Sequence, residues 1–172
     1  MKILLIEDHL DFAATIEKAV RAIDGCDIVW KKSQASALEA LSDEPFDVVL
    51  LDRRIPSADG VLDDDANHGW NVFQWIRQNH PGTSVWFLTA TEDADFSTDV
   101  LNDFGRNGDI HACGRADSVY RVFWKRRMTD CIAAIRAFRE DVQRTDAVVL
   151  IQLAEPVNLR PEEERLLRVR TH

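Results

Sequence analysis

The stretch FDVVLLDRRIP, residues 46–56, decides the fold. Val48, Val49, Leu50 and Leu51 form an unbroken apolar run, closed by Asp52 and then by Pro56. A strand with one wet face alternates apolar and polar positions. An unbroken β-branched run belongs instead to a strand covered on both faces, in the middle of a parallel sheet. Parallel strands need crossover connections, so amphipathic helices must flank this one. On the N-terminal side, KILLI (2–6) is a second such run. DFAATIEKAVRAI (11–23) then sets Phe12, Ile16, Ala19, Val20 and Ile23 on one helical stripe, stopped by Gly25. CDIVWK (26–31) reads as a strand. SQASALEAL (33–41) reads as a short helix opened by Ser33 or Ser36 and ended near Pro45.

The same alternation continues towards the C-terminus. WNVFQWIRQN (70–79) predicts a helix with Val72, Phe73 and Ile76 inward, closed before the turn signal Pro81-Gly82. SVWFLTA (84–90) is the fourth strand, FSTDVLNDF (96–104) a short helix, and SVYRVFW (118–124) the fifth strand. MTDCIAAIRAFREDVQR (128–144) closes the series as a helix with Cys131, Ile132, Ile135, Phe138 and Val142 on one face. Five βα units imply a doubly wound α/β fold on a five-stranded parallel sheet. Residues 57–68 and 105–118 depart from the minimal pattern as long polar insertions, a length that marks functional or mobile loops. AVVLIQL (147–153) reads as a sixth strand or an extended arm, and PEEERLLRV (161–169) as a helix beginning at Pro161. Residues 1–144 are therefore read as one domain. Residues 145–172 are a C-terminal extension too short for a core of its own. Its apolar run is expected to be ordered, on the core or across the two-fold axis of a homodimer.

Composition narrows the function. The 172 residues carry 21 Lys and Arg against 30 Asp and Glu, a net charge of −9, which argues against general nucleic-acid binding. The basic side chains of WKRR (124–127), Arg136, Arg139 and Arg144 suit a solvated or protein-docking face, with no direct nucleic-acid partner. No apolar run reaches the ~20 residues needed to span a bilayer, and the first apolar run is too short for a signal-peptide core. The expectation is a soluble, cytoplasmic chain that keeps away from membranes. Cys26, Cys113 and Cys131 form no metal or redox spacing and read as free thiols. His68 and His111 lack co-ligands, and the acidic run DGVLDDDANH (59–68) lacks the spacing of an EF-hand loop.

The chemistry gathers at the strand ends. In an open parallel sheet, ligands bind outside the carboxyl ends of the strands. The polar residues there are Glu7 and Asp8 after strand one, Asp52 after strand three, Thr89 after strand four and Lys125 after strand five. The sheet order 2-1-3-4-5 brings them together. Three converging carboxylates repel one another unless a cation lies among them, and oxygen-only ligands favour Mg2+. A hydroxyl and an ammonium beside such a metal are what a transferred phosphoryl group needs. Asp8 has a structural alternative, as the cap of the first helix.

ILLIEDH (3–9), FDVVLLDRRIP (46–56), WFLTA (86–90) and VFWK (122–125) together resemble the receiver domain of two-component response regulators, over about residues 2–144. The resemblance implies a CheY-like fold and phosphotransfer to Asp52 from a sensor histidine kinase or a histidine phosphotransfer protein. It implies Mg2+ held by Asp8, Asp52 and the carbonyl of Arg54, with Glu7 holding a metal-bound water. Lys125 would neutralise a phosphoryl oxygen, Thr89 would move to bond another, and the Arg54 side chain would overhang the site. The output would be a protein contact with a downstream target. The only catalysis implied is self-phosphorylation and autodephosphorylation. The chain departs from the family in four places. The Gly that follows Pro56 is displaced by an insertion, to Gly60 or, by its continuation into a helix, Gly69. Thr89 and Lys125 are unusually far apart. Arg126 replaces the Pro after the lysine, and Val122 stands where an aromatic switch is usual, with Tyr120 and Phe123 near. An alternative is a receiver-fold interaction module that has lost phosphotransfer. A haloacid-dehalogenase-type phosphohydrolase would need an Asp at position 54, which is Arg.

Overall fold

The computed structural model describes residues 1–80, 82–90 and 120–154, and of the last helix only the backbone beyond residue 142. Five parallel strands, β1 (Lys2–Ile6), β2 (Asp27–Lys31), β3 (Val48–Asp52), β4 (Ser84–Thr89) and β5 (Tyr120–Trp124), pair in the order β2-β1-β3-β4-β5. The helices among the described residues are α1 (Leu10–Arg21), α2 (Gln34–Asp43), α3 (Ala66–Asn79) and α4 (Met128–Ala154). The expected doubly wound sheet is present. By compactness the chain divides into Met1–Arg139 and Glu140–His172. The predicted helices at 96–104 and 161–169 and the insertion at 105–118 lie outside the described residues.

The unbroken apolar runs are buried on both faces. Every residue of β3 and β4 is buried, and Ile3, Leu4, Leu5 and Ile6 of β1 are fully so. Alternation along the strands sends Leu4, Ile6, Val49, Leu51, Val85 and Phe87 into one cluster with Ala37 and Leu41 of α2 and Val72, Phe73 and Ile76 of α3. The intervening residues face the other way, where Phe138 of α4 meets the buried Trp86 edge-on at 5.7 Å between ring centroids. The strand order reverses between β2 and β3, and because parallel crossovers are right-handed as a rule, α1 belongs on the face opposite α2 and α3. That reversal opens a crevice between the ends of β1 and β3.

Local caps fix where helices begin. Ser33 caps α2, and Ser36 bonds back to it in a reciprocal capping box. His9, not Asp8, caps α1: its Nδ1 accepts from the Phe12 N–H at 3.4 Å. Asp8 is thereby released from the structural role open to it. Asp65 caps α3, which starts four residues before the 70–79 segment, so the 57–68 insertion ends as helix. The rest of that insertion is pinned: Asp63 accepts from the Ser57 N–H at 2.8 Å, and Asp59 accepts from the Ser33 and Ser36 hydroxyls at 2.6 and 2.9 Å. Residues 147–153 correct the strand-or-arm reading, because α4 runs through them to Ala154. Extending a helix already nucleated at Met128 fixes one residue per added hydrogen bond. No Gly or Pro lies between Met128 and Ala154 to interrupt it.

Gly69, rather than Gly60, is the glycine the site requires. A Cβ on Gly69 would lie 2.8 Å from the Asp52 carbonyl oxygen and nearer still to that of Arg53, whereas Gly60 faces open space with a positive φ of 82°. Only a hydrogen lets α3 approach the end of β3 so closely. Gly69→Ala gains about 1 kcal/mol in helix propensity, but overpacking against rigid backbone costs roughly 1–3 kcal/mol or more. Contact with two backbone carbonyls places the cost at the upper end, so the expected net loss is about 2 kcal/mol by urea denaturation. Gly82→Ala, with nothing within 4 Å of its new Cβ, is the control and stays within about 0.5 kcal/mol of the parent. Equal stability of the two variants contradicts this reading.

Candidate functional site

Parallel pairing aligns the strand ends. Ile6 is in register with Leu51 and Asp52 with Leu88, so Glu7, Asp8, Asp52 and Thr89 emerge along one edge of the sheet. Lys125 follows directly on β5 as the first residue of a single 3-10 turn, Lys125–Arg127. Its long side chain reaches across β4 to β3 and β1. Lys125 Nζ donates to Asp52 Oδ2 at 2.6 Å and to Glu7 Oε1 at 2.9 Å, with Glu7 Oε2 also 2.6 Å away. One ammonium thus ties together the ends of the first, third and fifth strands.

The carboxylates are held in a dry place. Glu7 is fully buried and Asp52 is 7% exposed. Glu7 Oε2, though close to the ammonium, makes no hydrogen bond. Carboxylate oxygens of Glu7, Asp8 and Asp52 all lie within 4.8 Å of one another. This is an all-oxygen set of three carboxylates around one point, which suits a hard divalent cation. The Arg54 N–H donates to Asp52 Oδ1 at 3.3 Å and the His9 N–H to Glu7 Oε1 at 3.2 Å. A cleft of about 200 Å3 beside Asp52 is lined by Arg53, Arg54, Ala66, Thr89, Ala90 and Lys125. Thr89 is buried at its wall, and the two arginines and the lysine make that wall cationic.

Proton affinities follow from this placement. Burial, and then the charge of Asp52, push the Glu7 carboxyl up to about 7; the hydrogen bond and charge of Lys125 oppose the shift without cancelling it. Burial likewise raises Asp52 above the usual carboxylate range, against the pull of Lys125 and the Arg54 N–H. Burial works to lower the pKa of Lys125, but Asp52 and Glu7 outweigh it and hold the ammonium above its ordinary value.

All six residues expected from sequence come together here: Glu7, Asp8, Asp52, Arg54, Thr89 and Lys125. No peptide bond among the described residues is cis, so the one before Arg126 is trans. Two further residues were not foreseen. Trp30 Nε1 donates to the Glu7 carbonyl at 2.7 Å, a contact that follows from the register of Leu5 with Trp30. Phe12, counted in sequence with the core stripe of α1, is only half-buried, and its ring lies beneath Lys125.

The family model for the response regulator receiver domain matches residues 3–111, and the chain belongs to that family. It is thus a receiver domain of two-component signalling. The match includes Glu7, Asp8, Asp52 and Thr89 and stops short of Lys125, whose place rests on the geometry above. The chain is similar to the response regulator protein PilR of Pseudomonas aeruginosa, 29% identical over 58% of this chain and 20% of that one. It is also similar to the transcriptional regulatory protein QseB of Haemophilus influenzae, 30% identical over 55% of this chain and 38% of that one. The chain therefore spans well under half the length of these relatives. Among solved structures, the non-phosphorylated receiver domain of RcsB from Escherichia coli superposes with a TM-score of 0.60 at 18% identity, covering 81% of this chain and 93% of that one. At that identity the likeness shows the fold. No helix of the described residues is long and apolar enough to cross a membrane.

The raised Glu7 pKa sets a pH dependence. In the folded protein Glu7 holds its proton up to about pH 7; unfolded, it releases it near 4.5. Its contribution to stability is full below pH 4.5 and lost as pH rises through 7. In chelator, the stability of the metal-free protein should fall across that window, with a Glu7 share of up to about 3 kcal/mol. Glu7→Gln flattens the slope. Parallel pH profiles for the two proteins contradict the assignment.

Proposed function

We propose that Asp52 is the phosphoacceptor of this receiver, and that the phosphorylated form signals through contact with a downstream protein. The observation that carries this reading is the Lys125 ammonium 2.6 Å from Asp52 Oδ2 beside an all-oxygen carboxylate cluster and a cationic cleft. An Asp52 carboxylate oxygen attacks the phosphorus of a phosphohistidine on a sensor histidine kinase or a histidine phosphotransfer protein. The O–P bond forms as the N–P bond breaks, and its electron pair returns to the imidazole. Lys125 transfers a hydrogen bond from Asp52 to a phosphoryl oxygen and neutralises its charge. The Thr89 hydroxyl donates to another. Asp8, Asp52 and the Arg54 carbonyl would hold Mg2+, with Glu7 supporting a bound water; the ion offsets the charge of the carboxylates and of the incoming phosphoryl oxygens. The Arg54 side chain borders the path of water to the acyl phosphate and tunes its lifetime.

The experiment is phosphorylation by acetyl phosphate with Mg2+, read by intact mass. One phosphoryl group per chain is expected, and none on Asp52→Asn. An unchanged yield in that variant contradicts the assignment. No uptake by the parent protein favours the interaction module that has lost phosphotransfer.

Metal affinity tests the cluster separately. Asp8→Asn removes a charge and a ligand, and should weaken Mg2+ binding by more than about tenfold while the fold persists. Trp30 reports it by fluorescence through its bond to the Glu7 carbonyl. Unaltered affinity places the cation elsewhere.

A further inference from the structure

We infer that Phe12 is a positioning residue for Lys125, its ring face steadying the ammonium while the phosphoryl group arrives. The inference rests on the phosphoacceptor reading of the site. Two of the three ammonium N–H groups go to Glu7 and Asp52, and Nζ lies 4.9 Å from the centroid of the Phe12 ring. A cation within about 6 Å of an aromatic face is attracted to it, the more so the less water surrounds the pair. The Lys125 side chain is 18% exposed, so the contact acts in a largely desolvated place.

Core packing does not account for this ring. The buried residues of α1 are Ala13, Ile16 and Val20, whereas Phe12 lies beside that stripe and is half-buried. The first turn of α1 is fixed by the His9 cap, whose partner is the Phe12 N–H itself. The ring is therefore carried by the chain leaving β1, while the ammonium comes from β5 across the sheet. The hydrogen bond from Lys125 to Asp52 must be exchanged when a phosphoryl oxygen takes its place. The ring contact is non-directional and survives that exchange. It confines a flexible lysine stem, which has no Pro after it to stiffen the turn, within reach of the arriving oxygen.

The test compares Phe12→Leu, apolar but without a π face, with Phe12→Tyr, which keeps one. In the assay, Asp52 attacks the phosphorus of acetyl phosphate, the P–O bond to the acetyl group breaks, and acetate leaves with the electron pair. Phe12→Leu should lower the initial rate about fivefold with melting temperature unchanged, and Phe12→Tyr should restore it. A second reading needs neither metal nor phosphodonor: the Lys125 ε-methylene protons are shifted upfield by the ring current in the parent and in Phe12→Tyr, and lose that shift in Phe12→Leu. A parent rate in Phe12→Leu, or no ring-current shift in a parent that does phosphorylate, overturns the inference alone. A parent that shows the shift yet takes no phosphoryl group overturns the phosphoacceptor reading, and the positioning role falls with it.

Discussion

The ion pair that Lys125 makes with Asp52 and Glu7 is the constraint on which the site depends. Two buried carboxylates, each raised in pKa by desolvation, cannot share the end of a sheet with Asp8 unless positive charge is delivered among them. Burying an ion costs several kcal/mol, and removing one partner of such a pair typically costs 3–5 kcal/mol because the other charge is left uncompensated (roughly, in either case). Lys125 supplies the positive charge from β5, three strands away from β1 in the order of the sheet. Strand order, register and side-chain length must all be right for that reach to work. The sheet's topology is thus read out directly as electrostatics.

Much of this was legible because buried parallel strands write themselves as unbroken apolar runs. Val48–Leu51 and Ile3–Ile6 have no other stable place in a chain of this length, and the polar residue ending each run had to lie at the carboxyl edge. Legibility failed where the deciding interaction is not periodic. The cap of α1 is His9, a residue whose ring nitrogen can do what the adjacent Asp8 would have done. The β-branched run at 147–153 has strand propensity, but helix continuation from Met128 overrides a preference worth tenths of a kcal/mol per residue (about 0.5). Trp30 and Phe12 touch the site through register and helix phase, neither of which a single element's sequence encodes.

The insertion after β3 shows how a departure from the family pattern is accommodated. Pro56 and Gly69 are separated by residues that make their own structure: Ile55 bridges Asp65, Asp63 closes on Ser57, and Asp59 reaches the capped start of α2. The added residues therefore leave Asp52 and Arg54 where the cluster needs them. Gly69 still meets the end of β3, which is why position in the fold, rather than spacing from Pro56, identifies it. Arg126 is the departure closest to the chemistry, and there the lysine is held instead by its two carboxylates and by the ring of Phe12.

If Asp52, Lys125 and the carboxylate cluster form one phosphoryl-binding site, they must bind a phosphoryl mimic together. The most direct measurement is a 19F NMR titration with beryllium fluoride and Mg2+, since trifluoroberyllate bonded to a carboxylate takes the shape and charge of a phosphoryl group. A single set of bound fluorine resonances is expected in the parent protein, requiring Mg2+, absent from Asp52→Asn and weakened in Lys125→Met. Bound resonances that persist unchanged in Asp52→Asn, or a parent protein that binds none, contradict it.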